Sequence, residues 1–364
     1  MKYDLAVIGA GIAGCALTYQ AKQMGLKVVI IDRASTPATG GSGAAGAFIS
    51  PKLGKSTPLL ELTNLAYSYA TKFYATNFKE YFDKSGIIRL PKDSSDIKNF
   101  EYYKSIINEP CELLKKQELE EFGIKNQEVG LYFKDGGVCD AQILCKALIK
   151  DIEFLQAEIK DLNNLPIEAK NIVLATGYEG FRDYLEYMGI SGVWGSRGDF
   201  FTSSNIDICM HKTISISATK NGIVKLGATH TRAKNPTAAC MQCNGKPLKE
   251  LIIKANELAN LDNLELKETF CGMRSGSRDY FPLVGKVIDT KFMLNSYPQL
   301  KNGYNKAPFK YIPNLYILNG LGGRGFVFAP LMAKWLLELI IQNKEIDKRV
   351  NPNRLFLKWV RKLK

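Results

Sequence analysis

Histidine and paired cysteine are scarce in this 364-residue sequence, which limits the metal chemistry available to it. The histidines are His211 and His230, and the eight cysteines contain one C-x-x-C pair, Cys240 and Cys243. A structural zinc site usually needs four ligands, and neither a second cysteine pair nor a histidine pair lies nearby in the sequence. We therefore predict no metal site and interpret Cys240 and Cys243 as ordinary loop cysteines.

Long apolar runs and an export signal are also missing. The chain has no stretch of about 20 apolar residues, the length needed to span a bilayer. The apolar run Leu5–Ile8 is too short for the core of a signal peptide, and glycines follow it rather than a cleavage site. These absences predict a cytoplasmic protein with no membrane partner, whose cysteines are reduced thiols.

Acidic residues are outnumbered, because 36 Asp and Glu stand against 49 Lys and Arg and leave a net charge of +13. Such an excess favours a polyanionic partner, either nucleic acid or an acidic membrane surface, although a lysine-rich background composition explains it equally well. Apolar residues at 46% and charged residues at 23% are ordinary for a globular protein. The length corresponds to roughly two domains.

The N-terminal residues predict a dinucleotide-binding β-α-β unit. A short apolar strand, Tyr3–Ile8, runs into the glycine motif Gly9–Gly14, and a helix then continues to Gly25. A second apolar strand, Lys27–Asp32, ends in an acid. The full pattern specifies such a site far better than the glycines alone, because it combines a strand, a glycine turn, a helix, a second strand and a terminal acid.

Each motif residue has a physical task in such a unit. Gly9 allows the tight turn, Gly11 allows the backbone to approach a pyrophosphate, and Gly14 allows the helix to pack closely on the sheet. The helix N-terminus offers its N–H groups to the phosphates. Asp32 lies where an acid accepts hydrogen bonds from a ribose.

Two later segments favour FAD over NAD. Asn171–Gly177 predicts a buried strand ending in Ala-Thr-Gly, and Leu315–Phe326 predicts a strand entering a glycine-rich loop. We expect Pro330 to open the helix that follows. A helix start at this loop would stabilise the negative charge of a reduced flavin.

These motifs resemble those of the D-amino-acid oxidase/glycine oxidase family of FAD enzymes. The resemblance rests on GAGIAG at Gly9–Gly14, ATG at Ala175–Gly177, NGLGGRG at Asn319–Gly325 and the segment Gly272–Gly285. It implies an α/β fold with an FAD-binding, Rossmann-like domain of the glutathione-reductase type. It also implies a substrate domain built on a mainly antiparallel sheet.

Within the family, three stretches are similar to the oxidoreductase half of bifunctional enzymes that modify the wobble uridine of tRNA. They are Ser42–Leu53, the pair Arg278-Asp279, and Gly320–Gly325 followed by Ala329–Leu331. This similarity implies that tRNA is the partner and that the carboxymethyl group of 5-carboxymethylaminomethyl-(2-thio)uridine is removed as glyoxylate, leaving 5-aminomethyluridine. Because the chain starts at its FAD fingerprint, we expect a separate methyltransferase to act on the product.

Two other functions stay open at this point. An oxidase or dehydrogenase of free glycine, sarcosine or D-amino acids would turn over small amines without tRNA and would be indifferent to salt. A noncatalytic flavoprotein that binds RNA or another partner would hold FAD that no amine reduces.

The resemblance also implies roles for individual residues. Arg274 occupies the family's carboxylate-binding position. Arg324 would contact the flavin or the substrate carboxylate, and Lys52, with Lys55 nearby, would lie over the flavin or in solvent. Asp279 and Arg197 are interpreted as structural.

FAD is expected to be noncovalent, since only the position of Cys271 suggests a covalent bond. The first flavin loop departs from the family's Ser-Gly-Asn by having alanine as its third residue. The predicted cofactor-binding residues are Gly9, Gly11, Ile12, Ala13, Gly14, Asp32, Arg33, Ser42, Gly43, Ala44, Ala45, Gly46, Ala175, Thr176, Gly177, Gly320, Gly322, Gly323, Arg324, Gly325 and Phe326.

The FAD segments are separated by two insertions. We assign residues 1–75, 131–197 and 271–364 to the FAD-binding domain, and residues 76–130 and 198–270 to the substrate domain. A helix should begin at Pro58 with Thr57 as its cap, and Asn221-Gly222 should turn a hairpin between Thr213–Thr219 and Ile223–His230.

The C-terminal tail, residues 343–364, is basic and contains aromatic residues. One interpretation is a surface for phosphate contacts. The other, which we favour for this stretch alone, is an amphipathic helix docked through Leu355, Trp359 and Leu363 with its lysines in solvent.

Overall fold

The computed structural model describes residues 2–232 and 243–363. The strands are β1 (Lys2–Ile8), β2 (Val28–Asp32), β3 (Phe48–Ile49), β4 (Phe82–Asp83), β5 (Ile87–Arg89), β6 (Glu112–Lys115), β7 (Val129–Phe133), β8 (Gly137–Cys139), β9 (Glu153–Gln156), β10 (Glu168–Leu174), β11 (Ser191–Phe201), β12 (Cys209–His211), β13 (Ser215–Ile216), β14 (Ile223–Gly227), β15 (Glu265–Gly276), β16 (Leu283–Ile288) and β17 (Tyr311–Asn319). The α-helices are α1 (Ile12–Gln23), α2 (Pro58–Asn77), α3 (Ser94–Ile97), α4 (Phe100–Ile106), α5 (Lys116–Glu121), α6 (Ala141–Leu148), α7 (Arg182–Leu185), α8 (Lys246–Asn256), α9 (Thr290–Ser296), α10 (Gly325–Gln342) and α11 (Asn353–Val360).

The chain divides into two compact units. The first unit comprises Met1–Thr39, Cys145–Gly192 and Arg274–Lys364, and the second comprises Gly40–Leu144 and Val193–Met273. Residues 40–75 and 131–144, which the sequence assigned to the FAD-binding domain, therefore belong to the second unit.

The first unit is built on a six-stranded sheet in the order β16-β17-β10-β1-β2-β9. Strand β1 is parallel to β10 and β2, β10 is parallel to β17, and β2 is parallel to β9, while β16 is antiparallel to β17. The central strands are apolar and almost fully buried, as parallel strands covered on both faces are. This arrangement confirms the predicted α/β fold and its β-α-β start.

The last long helix corrects one expectation. Helix α10 begins at Gly325, directly after the 3₁₀ turn Gly322–Arg324, so Pro330 lies inside it rather than at its start. Proline lacks the N–H that would bond to the carbonyl of Phe326, but its own carbonyl accepts a hydrogen bond from Gln20 Nε2 at 2.8 Å. The helix therefore starts at the glycine loop itself.

The segment Gly322–Gln342 is long and apolar enough to cross a membrane by length and composition alone. However, 61% of its most apolar window is buried within the protein, and α10 packs against α1. Such burial is typical of a core helix.

The second unit contains an eight-stranded sheet in the order β15-β11-β14-β13-β12-β5-β7-β6. Five neighbouring pairs, from β11-β14 to β7-β6, are antiparallel and β12 is parallel to β5, which confirms the predicted mainly antiparallel sheet. The hairpin turn at Asn221-Gly222 is also confirmed, because both residues have positive φ, 53° and 70°, as a two-residue hairpin turn requires. Helix α2 begins at Pro58, and the Thr57 side chain caps it by accepting from the N–H of Leu60.

The prediction that all cysteines are reduced is wrong for one pair. Cys243 and Cys271, both in the second unit, form a disulfide with their Cα atoms 5.5 Å apart, within the usual range. They lie 28 residues apart, and only the fold brings them together. Cys240 lies outside the described residues. Cys15, Cys111, Cys139, Cys145 and Cys209 take part in no disulfide among the described residues.

Helix α11 forms the amphipathic helix favoured for the tail. Leu355, Phe356 and Val360 are buried, whereas Lys358 and Arg361 are exposed. The Trp359 ring packs 5.9 Å from that of Phe356. The tail is therefore docked through its apolar face.

Candidate active site

The turn after β1 is too tight for any side chain. Gly9 has φ of 110°, and a Cβ on it would lie 2.4 Å from the carbonyl oxygen of Ala175. A Cβ on Gly14 would lie 1.9 Å from the carbonyl oxygen of Gly9. Both contacts are far below van der Waals distance, so the glycines bring β1, α1 and the end of β10 together.

Two helix N-termini meet beside this turn. Helix α1 is capped by Gly11, and no acidic residue lies in its first turn. Helix α10 starts next to it, since a Cβ on Gly325 would lie 3.1 Å from Cγ2 of Ile12. Aligned peptide dipoles make this neighbourhood favourable for anions.

Asp32 is held at the end of β2 by backbone donors. Its Oδ2 accepts from the N–H of Ala10 at 2.7 Å, and its Oδ1 accepts from the N–H of Ala34 at 2.9 Å. The carboxylate is thus fixed beside the glycine turn with lone pairs left for ribose hydroxyls. The next residue, Arg33, pairs with Glu179 at 2.6 Å, but both side chains are more than half exposed, so the pair contributes little stability.

Asn319 joins three of the predicted segments, and sequence reasoning missed it. Its Nδ2 donates to the carbonyl of Gly177 at 2.8 Å, while its Oδ1 accepts from the N–H of Gly320 at 2.7 Å and from Ser275 Oγ at 2.6 Å. The side chain is buried. Its place at the end of β17, where a strand meets a glycine loop, is the signal that could have identified it.

Thr176 presents an unsatisfied group in the middle motif. Its Oγ1 is buried and has no hydrogen-bond partner among the described residues. A buried hydroxyl without a partner is costly and uncommon in native proteins. A bound ligand would supply that partner.

Arg274 lies close to the glycine loop that contains Arg324, within the first unit. Arg274 is near the end of β15, and a Cβ on Gly323 would lie 3.6 Å from Cδ of Arg274. Burial lowers the pKa of each guanidinium to about 10, so both stay protonated at neutral pH. The two partly buried cations favour an anionic group beside the glycine loop.

The Asp279 side chain is structural, as interpreted. It accepts from Arg354 Nε at 2.8 Å and Nη2 at 2.9 Å, a two-point pairing with helix α11. Burial opposes ionisation of Asp279, but Arg354 and the hydroxyl of Ser277 outweigh it and hold the pKa of the carboxyl below its ordinary value.

The first predicted flavin loop, Ser42–Gly46, belongs to the second unit. The carbonyl of Ala45 accepts a hydrogen bond from Nη1 of Arg197. The Arg197 side chain is 4% exposed, pairs with Asp199 at 3.1 Å and lies 3.9 Å from the centre of the Phe270 ring. Arg197 therefore ties the loop to the antiparallel sheet.

Lys52 follows this loop in the second unit. Its backbone N–H donates to Asn64 Oδ1 at 2.8 Å, and its carbonyl accepts from Asn64 Nδ2 at 3.2 Å. Helix α2 thus fixes the backbone at Lys52. Lys55, three residues later, is exposed.

These features fit a flavin dinucleotide. The glycine turn lies beside two helix N-termini that favour a pyrophosphate. Asp32 is held beside the turn with lone pairs for a ribose, and the buried hydroxyl of Thr176 has a hydrogen bond to gain. The sulfur of Cys271 is bonded to Cys243 in this structure.

A comparison with protein-family profiles matches residues 4–339 to the family DAO, FAD dependent oxidoreductase. This match spans most of the chain and includes all three glycine segments of the candidate site. The cofactor is therefore FAD, and the protein is an FAD-dependent oxidoreductase.

Curated relatives carry the name tRNA 5-methylaminomethyl-2-thiouridine biosynthesis bifunctional protein MnmC. Those from Shewanella amazonensis and Marinobacter nauticus are 24% and 26% identical over 414 and 389 residues. The alignments cover 99% and 97% of this chain, but 60% and 58% of the relatives. The chain thus spans about three fifths of the length of these relatives.

Solved structures share the fold. Glycine oxidase from Bacillus cereus has a TM-score of 0.75 at 18% identity, covering 94% of this chain and 96% of its own. Iminodiacetate oxidase from Chelativorans has a TM-score of 0.74 at 16% identity, covering 96% and 98%. The family match agrees with the glycine turn after β1 and with the shared fold. The chain belongs to the DAO family of FAD-dependent oxidoreductases.

Proposed function

We propose that the protein oxidises the carboxymethylaminomethyl group of a wobble uridine in tRNA, releasing glyoxylate and leaving 5-aminomethyl-(2-thio)uridine. The observation that carries the proposal is the pair of partly buried cations, Arg274 and Arg324, beside the glycine loop that begins α10. Relatives whose name refers to tRNA 5-methylaminomethyl-2-thiouridine biosynthesis support tRNA as the substrate.

The substrate carries a carboxylate next to the carbon that is oxidised. A guanidinium recognises a carboxylate through two parallel hydrogen bonds, which fixes orientation as well as charge. We assign this task to Arg274, with Arg324 holding the carboxylate or the flavin. Lys52 is a further candidate contact in the second unit.

The two partly buried cations would also act on the substrate amine. A like charge nearby disfavours the protonated form of an amine, and only the neutral amine can release a hydride from its neighbouring CH₂. The arginines therefore help to keep the amine reactive at neutral pH.

FAD, when bound, supplies the two-electron acceptor for the hydride. The cofactor contacts fall to the glycine segments of α1 and α10, to Asp32 and to Thr176. The imine product then takes up water and splits into glyoxylate and the aminomethyl base, so the carbon that loses two electrons leaves as the aldehyde. A separate methyltransferase would act on the aminomethyl product, and a tRNA substrate would place the reaction in the cytoplasm.

The test is anaerobic bleaching of the flavin absorbance. The protein is mixed with tRNA carrying 5-carboxymethylaminomethyluridine and, in parallel, with glycine, sarcosine or D-alanine. We expect bleaching and glyoxylate release with the modified tRNA only. Bleaching by a free amino acid and not by the tRNA would instead identify an amino-acid oxidase. Flavin that no amine bleaches would indicate a noncatalytic flavoprotein.

A further inference from the structure

The positive charge of the chain is concentrated in one part of the sequence. Residues 274–364 contain 17 of the 49 Lys and Arg but only 5 of the 36 Asp and Glu, and so carry +12 of the net +13. No acidic residue occurs between Asp289 and Glu338 or after Asp347. A uniformly lysine-rich composition would not produce this distribution.

Much of this charge is exposed on the segment between β16 and β17. This segment contains α9 and the 3₁₀ helix Pro298–Asn302, and its lysines Lys291, Lys301, Lys306 and Lys310 are all exposed. Phe292 and Tyr304 on the same segment are 43% and 41% exposed. Lys310 Nζ lies 6.0 Å from the centre of the Phe292 ring.

Helix α11 shares a core with that segment. The Phe309 and Phe356 rings meet edge to face, with centres 5.8 Å apart, and Leu300 and Val360 belong to the same buried cluster. Helix α11 carries Lys358, and Arg361 and Lys362 follow directly at its C-terminal end; all three are exposed and are counted with α11 below.

We define the basic surface as these exposed side chains of segment 290–310 and of α11. Within residues 2–232 and 243–363, none of its seven cationic groups forms an ion pair with an acidic side chain. The charge is therefore available to a partner rather than neutralised within the protein.

We infer that the basic surface binds the phosphate backbone of RNA. Exposed lysines on neighbouring elements can each contact a backbone phosphate, and exposed aromatic rings offer stacking faces for unpaired bases. This inference rests on the proposed tRNA substrate and deepens it, because it assigns the tRNA contacts to the α9–α11 side of the first unit. A reacting nucleotide alone is too small to need such a surface.

The test uses two triple variants with equal loss of charge. The first is Lys301→Glu, Lys306→Glu and Lys358→Glu, on the basic surface. The matched control is Lys92→Glu, Lys98→Glu and Lys104→Glu, which are equally exposed but lie among Asp93, Asp96 and Glu101 around α3 and α4. Binding of unfractionated tRNA to the FAD-loaded proteins is measured as Kd against salt concentration.

We expect the first variant to weaken tRNA binding at least about tenfold near 0.1 M salt. The slope of log K plotted against log salt concentration should become shallower by about 2 to 3. Each lost phosphate contact removes about 0.9 from that slope, and the variant loses three lysines. The control should bind like the wild type. Equal binding by both variants would overturn the inference, as would binding of the wild type to vesicles of phosphatidylserine and phosphatidylcholine but not to tRNA.

Failure of the proposed function looks different. The nucleoside 5-carboxymethylaminomethyluridine would then leave the wild-type flavin oxidised, whatever the tRNA Kd values show. If both proposals hold, the nucleoside reduces the flavin of the first variant and of the wild type equally well. The two proteins then differ only in their Kd for tRNA.

Discussion

Arg274 gives the sharpest prediction for a single residue. Arg274→Lys keeps a positive charge but loses the two-point geometry of the guanidinium. Because a charge-assisted hydrogen bond contributes about 1.5–3 kcal/mol, we expect flavin reduction by substrate to slow by about ten- to a hundredfold. FAD should remain bound, since Arg274 is not assigned to the cofactor. Anaerobic stopped-flow absorbance measures both quantities.

The matched control for that variant is Arg278→Lys. Arg278 lies four residues further along the same segment, and its side chain is exposed. Substrate should reduce the flavin of the Arg278→Lys variant at the wild-type rate. Wild-type kinetics in Arg274→Lys as well would remove Arg274 from the substrate site.

Asn319 gives a second prediction at the residue scale. Asn319→Ala deprives the Gly177 carbonyl, the Gly320 N–H and the Ser275 hydroxyl of one shared partner. Leaving buried polar groups unpaired costs about 1–3 kcal/mol each, so the unfolding free energy should fall by at least that amount. FAD should also bind more weakly, because two cofactor segments lose their link. Urea unfolding and FAD titration provide the measurements, and unchanged values in both would show that Asn319 does not connect these segments.

These residues show what the sequence reveals about the site. Gly9, Gly14 and Asp32 could be predicted because a tight turn and a strand-end acid are local requirements, and the structure shows the close approaches that exclude a Cβ. The hydrogen bond from Asn319 to Gly177 could not be predicted, since the two residues lie 142 positions apart in the chain, although the place of Asn319 at a strand end is a local signal. A hydrogen bond of that span leaves no periodic or local pattern.

The pairing of Asp279 with Arg354 of helix α11 predicts a pH dependence. The folded pKa of Asp279 is below its ordinary value of 3.8. The pair therefore contributes its full stability above about pH 4 and loses it as pH falls through the folded pKa. Asp279→Asn should be less stable than the wild type at pH 7, and the difference should shrink as pH falls below 3.8. Urea unfolding at pH 7 and pH 3 measures it, and a difference that stays constant with pH would contradict the assignment.

The disulfide links strand β15 to the residues before α8. It closes a loop of 28 residues, for which loop entropy gives a stabilisation of about 3–4 kcal/mol. Cys271→Ser should lower the unfolding free energy by that amount under non-reducing conditions, whereas dithiothreitol should lower the wild type to the same level. Cys111→Ser, which alters a half-buried free thiol, is the control. A wild type whose stability is indifferent to dithiothreitol would show that the bond is not formed in solution.

Elements with local signals could be predicted, and those set by distant contacts could not. The Thr57 cap and Asn221-Gly222 turn act within a few residues, and the structure shows both. Pro330 was expected to open a helix because proline favours that position. Instead, the glycine loop of 320–325 starts α10, and Gln20 from α1 bonds to the Pro330 carbonyl. The cysteine pairing likewise depends on strand placement rather than spacing.

At the scale of the whole molecule, the segments that we propose contact FAD come from distant parts of the chain. Gly9–Gly14, Ala175–Gly177 and Gly320–Phe326 all belong to the first unit, yet they span more than 300 residues of sequence. A ligand that binds only the folded arrangement stabilises it by mass action. FAD should therefore stabilise the first unit as a whole rather than one loop.

Removing FAD tests this coupling. The apoprotein, prepared by dialysis against concentrated bromide, should unfold at a lower temperature than the holoprotein. Adding FAD at about 100 times its Kd should restore about 2.7 kcal/mol of stability, and the unfolding temperature should keep rising with FAD concentration. Thermal unfolding is monitored by circular dichroism, and release of FAD is followed by flavin fluorescence.

NAD at equal concentration is the control, because it offers the same pyrophosphate without the isoalloxazine ring that the α10 glycine loop is expected to hold. Equal stabilisation by NAD would show that the pyrophosphate turn alone carries the coupling and that the Gly320–Phe326 segment contributes nothing to it.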